Sequence, residues 1–169
     1  MRTYPPRLDS LITSLSRVSA RQENFPFDTV LLNRLIHLAQ RQLEAELSQV
    51  LAQEGLLVSH WMVLALLFGG DAFKRRPQEL SMAIGQSGPN TTKTTTFLIE
   101  RGWVLRVPDP DNKRSCWMVL TPEGQALVKR LMPVIWARYE ASLSPLSPAE
   151  KNTMIELLLK LFAAGSEAP

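Results

Sequence analysis

The 169-residue sequence has little of what metal and thiol chemistry requires. It contains one cysteine, Cys116, and two histidines, His37 and His60. A single cysteine cannot form an internal disulfide, and three such residues are too few for a structural zinc site. We therefore expect no metal and no cofactor, and we expect the cytoplasm, where unpaired cysteines are common.

Long apolar runs are also missing. The longest, from Trp61 to Phe68, has eight residues, whereas a membrane-spanning helix needs roughly 20. No apolar stretch follows the Pro5-Pro6 start, so the sequence shows no recognisable signal peptide. We expect no contact with a membrane and no secretion.

The groups that usually carry catalysis are absent as well. The sequence offers no Ser/His/Asp arrangement, no glycine loop for phosphate and no cluster of metal ligands, and both histidines fall on apolar helical segments. Its 45% hydrophobic and 21% charged residues are ordinary for a globular protein. We expect a folded protein that is not an enzyme.

Positive charge is concentrated in the middle of the chain. The segment from Phe73 to Ser115 has eight basic and four acidic residues, so it carries +4 while the net charge of the whole chain is +3. Such a segment is typical of a nucleic-acid-binding module, although a solvated basic surface explains the excess equally well. The cations expected to attract phosphates are Lys74, Arg75, Arg76, Lys93, Arg106, Lys113 and Arg114.

Apolar spacing and caps predict four helices before position 86. They are a short helix from Leu8 to Val18, a long helix from Asp28 to near Gly55, an interior helix capped by Ser59 and ended by Gly69-Gly70, and a helix from Pro77 to Ile84. The stretch GGDAFKRRP, from Gly69 to Pro77, is expected to be an exposed loop.

The next segment has five threonines between positions 91 and 96. Threonine favours strands, but a capping Ser87 at the start and Arg101-Gly102 at the end favour a helix. A helix that keeps so many threonines suggests hydroxyls on its exposed face, suited to phosphates and base edges in a major groove. The candidate DNA contacts are Ser87, Pro89, Asn90, Thr91, Thr92, Lys93, Thr94 and Thr96.

Alternation with a period of two predicts a β-hairpin after this helix. Its strands are expected around Trp103 to Val107 and Cys116 to Leu120, joined by a loop from Pro108 to Arg114. Two cations at the tip, Lys113 and Arg114, could reach a minor groove or could simply be solvated. Cys116 alternates inward, so we expect buried packing rather than a redox role.

Two further helices are predicted at the C-terminal side. Thr121-Pro122-Glu123 should cap a helix running to about Ser142, with a kink at Pro133. Ser147-Pro148-Ala149-Glu150 has the spacing of a capping box and should begin a last helix that ends before Gly165.

Three helices followed by a basic hairpin are the layout of a winged helix-turn-helix. The stretch Ile99-Glu100-Arg101-Gly102-Trp103, and above all RVPDPDNKRSCWMVLTPEG from Arg106 to Gly124, resemble the MarR family of ligand-responsive transcription regulators. Phe25-Pro26-Phe27, running into Leu31 to Leu35, is more specifically similar to the EmrR (MprA) branch of multidrug-efflux repressors.

This resemblance implies a mainly α fold with a small β-hairpin, in which a winged helix-turn-helix is joined to N- and C-terminal dimerisation helices. Residues 1–55 and 121–169 would form the helical dimerisation region and residues 56–120 the DNA-binding domain. A homodimer would then bind a pseudo-palindromic, double-stranded operator. The wing residues implied to contact DNA are Arg106, Asp109, Asn112, Lys113, Arg114 and Ser115.

The resemblance also implies a small aromatic or lipophilic effector that releases the protein from DNA. The residues expected to line its binding site are Trp61, Phe68, Trp136 and Tyr139, with Arg138 for an anionic group. Aromatic residues at helical spacing are, however, often simply part of the core. The predicted function is a repressor, of the kind that controls a multidrug-efflux or stress-resistance operon. The alternative is a winged-helix module for protein–protein contact, with Phe97 and Trp117 as its apolar surface.

Overall fold

The computed structural model describes residues 5–165, except for the side chains at positions 113, 114, 164 and 165. The helices are α1 (Pro6–Ser19), α2 (Phe27–Ala52), α3 (Val58–Phe68), α4 (Pro77–Ile84), α5 (Gly88–Glu100), α6 (Pro122–Ser142) and α7 (Pro148–Gly165). The strands are β1 (Lys74–Arg75), β2 (Val104–Asp109) and β3 (Asn112–Leu120), and a 3-10 turn spans Asp71–Phe73. The expected mainly α fold with a small β-hairpin is confirmed.

The chain divides into two compact units, residues 1–45 and residues 46–169, and the division falls within α2. In the first unit, α1 begins at Pro6 and has no buried residue. The second unit holds α3 to α7 and the sheet. No helix in the described part of the chain is both long and apolar enough to span a membrane.

The core of the second unit surrounds α3, which explains why this helix is apolar on every side. It packs against α4, α5, α6 and the sheet, so most of its surface is buried, and Met62 at 38% is its exposed residue. The fully buried side chains come from most of these elements; they are Leu51, Val63, Leu64, Leu67, Leu80, Leu98, Val104, Val128 and Ile135.

Local capping signals place the helix ends correctly in most cases. Gly85 ends α4 with a φ of +63°, and the Thr121 hydroxyl accepts the Gly124 N–H at 3.0 Å. Ser147 N–H donates to the Glu150 carboxylate at 2.8 Å, as in a capping box. The predicted cap of α3 at Ser59 is wrong, because the N-cap is Leu57, two residues earlier, and the helix begins at Val58.

The three strands form an antiparallel sheet in the order β1-β3-β2. Two sequence expectations are wrong here. The hairpin loop is much shorter than the predicted Pro108 to Arg114, because β2 continues to Asp109 and β3 begins at Asn112. The segment expected to be an exposed loop contributes β1, in which Lys74 pairs with Val119 and Arg75 with Met118.

Candidate nucleic-acid interface

Helix α5 follows α4 after a tight turn at Gly85, in the arrangement of a helix-turn-helix. Ser87 occupies its N-cap, proline stands in its first turn, and that turn contains no acidic residue. The N-terminal end of a helix carries a partial positive charge and free backbone N–H groups. This end of α5 is therefore suited to an anion such as a DNA phosphate.

Only part of the threonine-rich segment faces solvent. The exposed residues of the predicted set are Ser87, Pro89, Asn90, Thr92, Lys93 and Thr96. The expectation that Thr91 and Thr94 lie on the exposed face is wrong, because they are only 3% and 6% exposed. They share one helical stripe with Leu98, which is fully buried, and that stripe packs on the core.

The threonine hydroxyls bond back to their own helix. Thr91 donates to Ser87 O at 3.2 Å, Thr92 to Gly88 O at 3.0 Å, and Thr95 to Thr91 O at 2.9 Å. The bonds of Thr91 and Thr95 satisfy two of the hydroxyls that the core face buries. Packing of that face on the core stabilises the helix despite its many β-branched residues.

A stack of aromatic rings fixes the inner side of α5 to α3. The rings of His60 and Phe97 are parallel within 3° and 4.0 Å apart, and the Arg101 guanidinium lies 5.0 Å from the Phe97 ring. His60 is buried, and its Nδ1 accepts the Leu57 N–H at 3.1 Å. Phe97 is half-buried within this stack, so the alternative in which it offers a free apolar surface to a protein partner is wrong.

We expect His60 to make the stability of the protein depend on pH. Burial, together with the charge of Arg101, lowers the pKa of His60 from its ordinary value of 6.5. As the pH falls below about 6.5, the unfolded chain is protonated first, so the free energy of unfolding should decrease until the pH reaches the folded-state pKa. The His60 contribution is fully present above that window.

His60→Gln tests this expectation, since glutamine can still accept the Leu57 N–H but does not titrate. Urea denaturation between about pH 5.5 and 8 should show a flatter stability profile for this variant than for the wild type. His37→Gln, at an exposed position of α2, is the matched control and should keep the wild-type profile. Parallel profiles for wild type and His60→Gln would contradict the assignment.

Arg76 holds the wing to the rest of the second unit. Its Nη2 lies 2.8 Å from Asp109 Oδ2 and its Nη1 donates to Ser115 Oγ at 3.0 Å. The guanidinium also lies 4.6 Å from the centre of the Trp117 ring, and Lys74 Nζ lies at the same distance from that ring. Two cations thus contact the Trp117 ring, which is not a free apolar surface.

The ion pair of Arg76 corrects two expectations. Asp109, predicted to contact DNA from the wing, is 4% exposed and ion-paired, because a carboxylate buried there needs a compensating cation. Arg76, predicted to attract phosphates, is neutralised by that carboxylate. Arg75 Nε donates to the Leu66 carbonyl at 2.8 Å, which leaves its charge in place, so its attraction for phosphates stays a prediction. No sequence signal links Arg76 to a carboxylate 33 positions away.

In the outer part of the wing, formed by β2, β3 and their turn, Arg106 and Asn112 are exposed to solvent and Ser115 is half-buried. Arg106, Asn112 and Ser115 line an open groove of about 350 Å³ that reaches Gln78 at the start of α4. Arg106 Nε donates to Cys116 Sγ at 3.1 Å. Cys116 is half-buried rather than buried as expected, since it lies beyond the part of β3 that packs on the core. The side chains of Lys113 and Arg114 lie outside the described residues.

The residues predicted to surround an effector are only partly brought together. The Tyr139 hydroxyl is hydrogen-bonded to Trp61, and burial raises the pKa of Tyr139. Phe68 contacts Phe73, with ring centres 5.7 Å apart. Trp136 is 57% exposed, and Arg138 is exposed beside it.

Comparisons with known proteins agree with this geometry. The model of the MarR family matches residues 59–116. The chain is similar to the transcriptional repressor MprA of Escherichia coli K12, with 28% identity over 92% of this chain and 91% of that protein. It is also similar to the HTH-type transcriptional regulator PrsX of Escherichia coli, with 30% identity over 70% of this chain and 74% of the relative.

Two solved structures share the fold. One is a cysteine-to-serine mutant of MarR from Escherichia coli complexed with operator DNA, with a TM-score of 0.72, 25% identity, and coverage of 82% of this chain and 99% of that one. The other is the regulator Sco3205 from Streptomyces coelicolor in complex with DNA, with a TM-score of 0.78, 21% identity, and coverage of 87% and 92%. The winged helix-turn-helix architecture is thereby confirmed.

Proposed function

Because the chain belongs to the MarR family of transcription regulators, which are not enzymes, we propose that it is a homodimeric, cytoplasmic repressor of a pseudo-palindromic operator. A small aromatic or lipophilic effector releases it from that DNA. Residues 56–120 bind the DNA, and residues 1–55 and 121–169 form the dimer. The similarity to MprA supports repression.

The exposed face of α5 is the observation that carries this proposal. Asn90, Thr92, Lys93 and Thr96 face solvent beside the N-terminal end of the helix. In the major groove, Lys93 would contact a phosphate, while the amide and hydroxyl groups would meet base edges. Lys113 and Arg114 of the wing would then enter the adjacent minor groove, where cations meet a strong negative potential.

The helices on either side of the DNA-binding region expose a large apolar surface, which supports a dimer. On α7, Ile155, Leu157 and Leu159 are 55 to 63% exposed and Phe162 is 71% exposed. Contiguous exposed patches of this kind usually mark an interface between proteins. A two-fold partner would cover them and would place two copies of α5 about 34 Å apart, one turn of duplex.

An effector would act by changing the spacing between the two copies of α5. It can do so only if it binds one spacing more tightly than the other. Trp136 and Tyr139, which are 57% and 37% exposed on α6, are our proposed contacts for its aromatic part, whereas Trp61 is 4% exposed and belongs to the core. The similarity to the multiple antibiotic resistance protein MarR of Escherichia coli supports a drug-efflux or stress-resistance operon as the target.

Fluorescence anisotropy tests the DNA proposal. A labelled duplex from the upstream region of the protein's own gene is titrated over a series of salt concentrations, beside a scrambled duplex of equal composition. We expect tighter binding to the upstream duplex and a steep loss of affinity with salt. Equal, weak binding to both duplexes would contradict a sequence-specific repressor.

We expect salicylate-like or uncoupler-like compounds to quench tryptophan fluorescence saturably and to weaken binding to the duplex over the same concentration range. Tyr139→Phe removes the hydroxyl that is bonded to Trp61, and it should weaken the apparent affinity for the compound while leaving DNA binding without compound intact. The effector proposal fails if no compound of these classes gives a saturable change.

A further inference from the structure

Three consecutive cations between α3 and α4 lie in the segment that the sequence predicted to be an exposed loop. Each has a different contact. Lys74 lies over the Trp117 ring, Arg75 bonds to the Leu66 carbonyl of α3, and Arg76 pairs with Asp109. The charge of Arg76 is therefore paired with a carboxylate of the same protein.

The contacts of Arg76 all lie on the wing, while its own backbone belongs to the start of α4. The backbone N–H of Arg76 donates to Glu79 Oε2 at 3.1 Å, which fixes the first turn of that helix. Its side chain reaches Asp109 near the end of β2 and Ser115 on β3. One residue thus connects α4 to both strands of the hairpin near its tip.

Asp109 is the rigid end of this connection. Its carboxylate accepts the Asp111 N–H at 3.2 Å through Oδ1 and binds Arg76 through Oδ2. The side chain of Asp109 is 3% exposed and that of Arg76 38% exposed. A carboxylate buried in this way is costly without its cation, so the turn of the wing and the position of Arg76 are fixed together.

We propose that Arg76 is a positioning residue for DNA binding: its bonds to Asp109 and Ser115 fix the angle between the wing and α4, so that the wing and α5 meet the duplex as one rigid surface. This inference rests on the proposed function. It assigns Arg76 to the internal geometry of the protein instead of to a DNA phosphate.

The direction in which DNA affinity changes when Asp109 loses its charge distinguishes the two roles. If Arg76 served mainly to attract phosphates, Asp109→Asn would free it and remove a negative charge from the interface, so DNA affinity would rise. If Arg76 positions the wing, Asp109→Asn breaks its ion pair and DNA affinity falls although the protein becomes more positive. Asp111→Asn, at an exposed neighbouring position, adds the same charge and is the matched control.

The test measures anisotropy with the upstream duplex for wild type, Asp109→Asn, Asp111→Asn, Arg76→Gln and the double variant of Arg76 and Asp109. We expect Asp109→Asn and Arg76→Gln each to weaken binding roughly tenfold, which corresponds to a partial loss of the wing contact in both subunits of the dimer, and Asp111→Asn to bind at least as tightly as wild type. The double variant should be no weaker than either single variant, because both remove one interaction.

Thermal denaturation of each variant checks that binding is measured on folded protein. Arg76→Lys keeps a cation near Asp109 but cannot bridge to Ser115 as well, so it should bind DNA more weakly than wild type and more tightly than Arg76→Gln. If Arg76→Gln does not fold, the test uses folded Arg76→Lys, and wild-type affinity of that variant would contradict the inference. Tighter binding by Asp109→Asn, or additive losses in the double variant, would overturn the inference. A wild type that does not prefer the upstream duplex would instead overturn the proposed function.

Discussion

Replacing Gly124 with alanine is expected to lower the free energy of unfolding by about 3 kcal/mol. A Cβ at this position would lie 2.3 Å from Trp103 O and 2.8 Å from Leu120 Cδ1. The carbonyl cannot move aside freely, because it accepts the Thr121 N–H at 3.0 Å. Alanine gains at most about 1 kcal/mol from helix propensity, so the clash dominates.

Thermal or urea denaturation measures this effect, which corresponds to a fall in Tm of roughly 6 to 12 °C for a chain of this size. Gly69→Ala is the matched control. A Cβ at Gly69 would have its nearest neighbour, Ala65 O, at 3.6 Å, and the backbone there is in the right-handed helical region. Gly69→Ala should therefore leave the Tm nearly unchanged. A Tm of Gly124→Ala equal to that of Gly69→Ala would contradict the close packing of Gly124 against Trp103.

Removing the ammonium group of Lys93 is expected to weaken DNA binding on the order of a hundredfold. Each subunit of the dimer would lose one charge-assisted contact to a phosphate, worth about 1.5 kcal/mol. The slope of log affinity against log salt should become shallower by about 1.8, since two phosphates are no longer neutralised. Lys93→Ala, measured by anisotropy over a salt series, gives both quantities.

Lys129→Ala is the control for this experiment. Lys129 is exposed on α6, outside α5 and the wing, so its loss changes the net charge equally without removing a proposed contact. Equal salt slopes for the two variants would show that Lys93 acts only through long-range attraction, and the major-groove placement of α5 would then be wrong.

The sequence predicts helix ends well where the signal is local. The starts of α4, α5, α6 and α7 depend on proline or capping residues within a few positions, and their ends on glycine or loss of apolar spacing. Such signals act through bonds between near neighbours, for example Ser147 with Glu150. They do not require knowledge of the rest of the fold.

Features that depend on distant partners could not be predicted in this way. Strand β1 has two residues and exists only because β3 lies beside it. The ion pair between Arg76 and Asp109 joins residues on different elements. The pattern of charges along the sequence therefore does not reveal it. Thr91 and Thr94 are buried because they lie on the same stripe of α5 as Leu98, which packs on the core. The sequence does not reveal this burial, because threonine is a polar residue.

The hydroxyl bond of Thr92 limits what this side chain can recognise. Its hydrogen is donated to the Gly88 carbonyl, within the first turn of α5, so the oxygen can only accept a further bond. A base that meets Thr92 must then offer a donor, as the amino groups of adenine and cytosine do in the major groove, or a methyl group, as thymine does. A guanine edge presents only acceptors there and would gain no hydrogen bond from this residue.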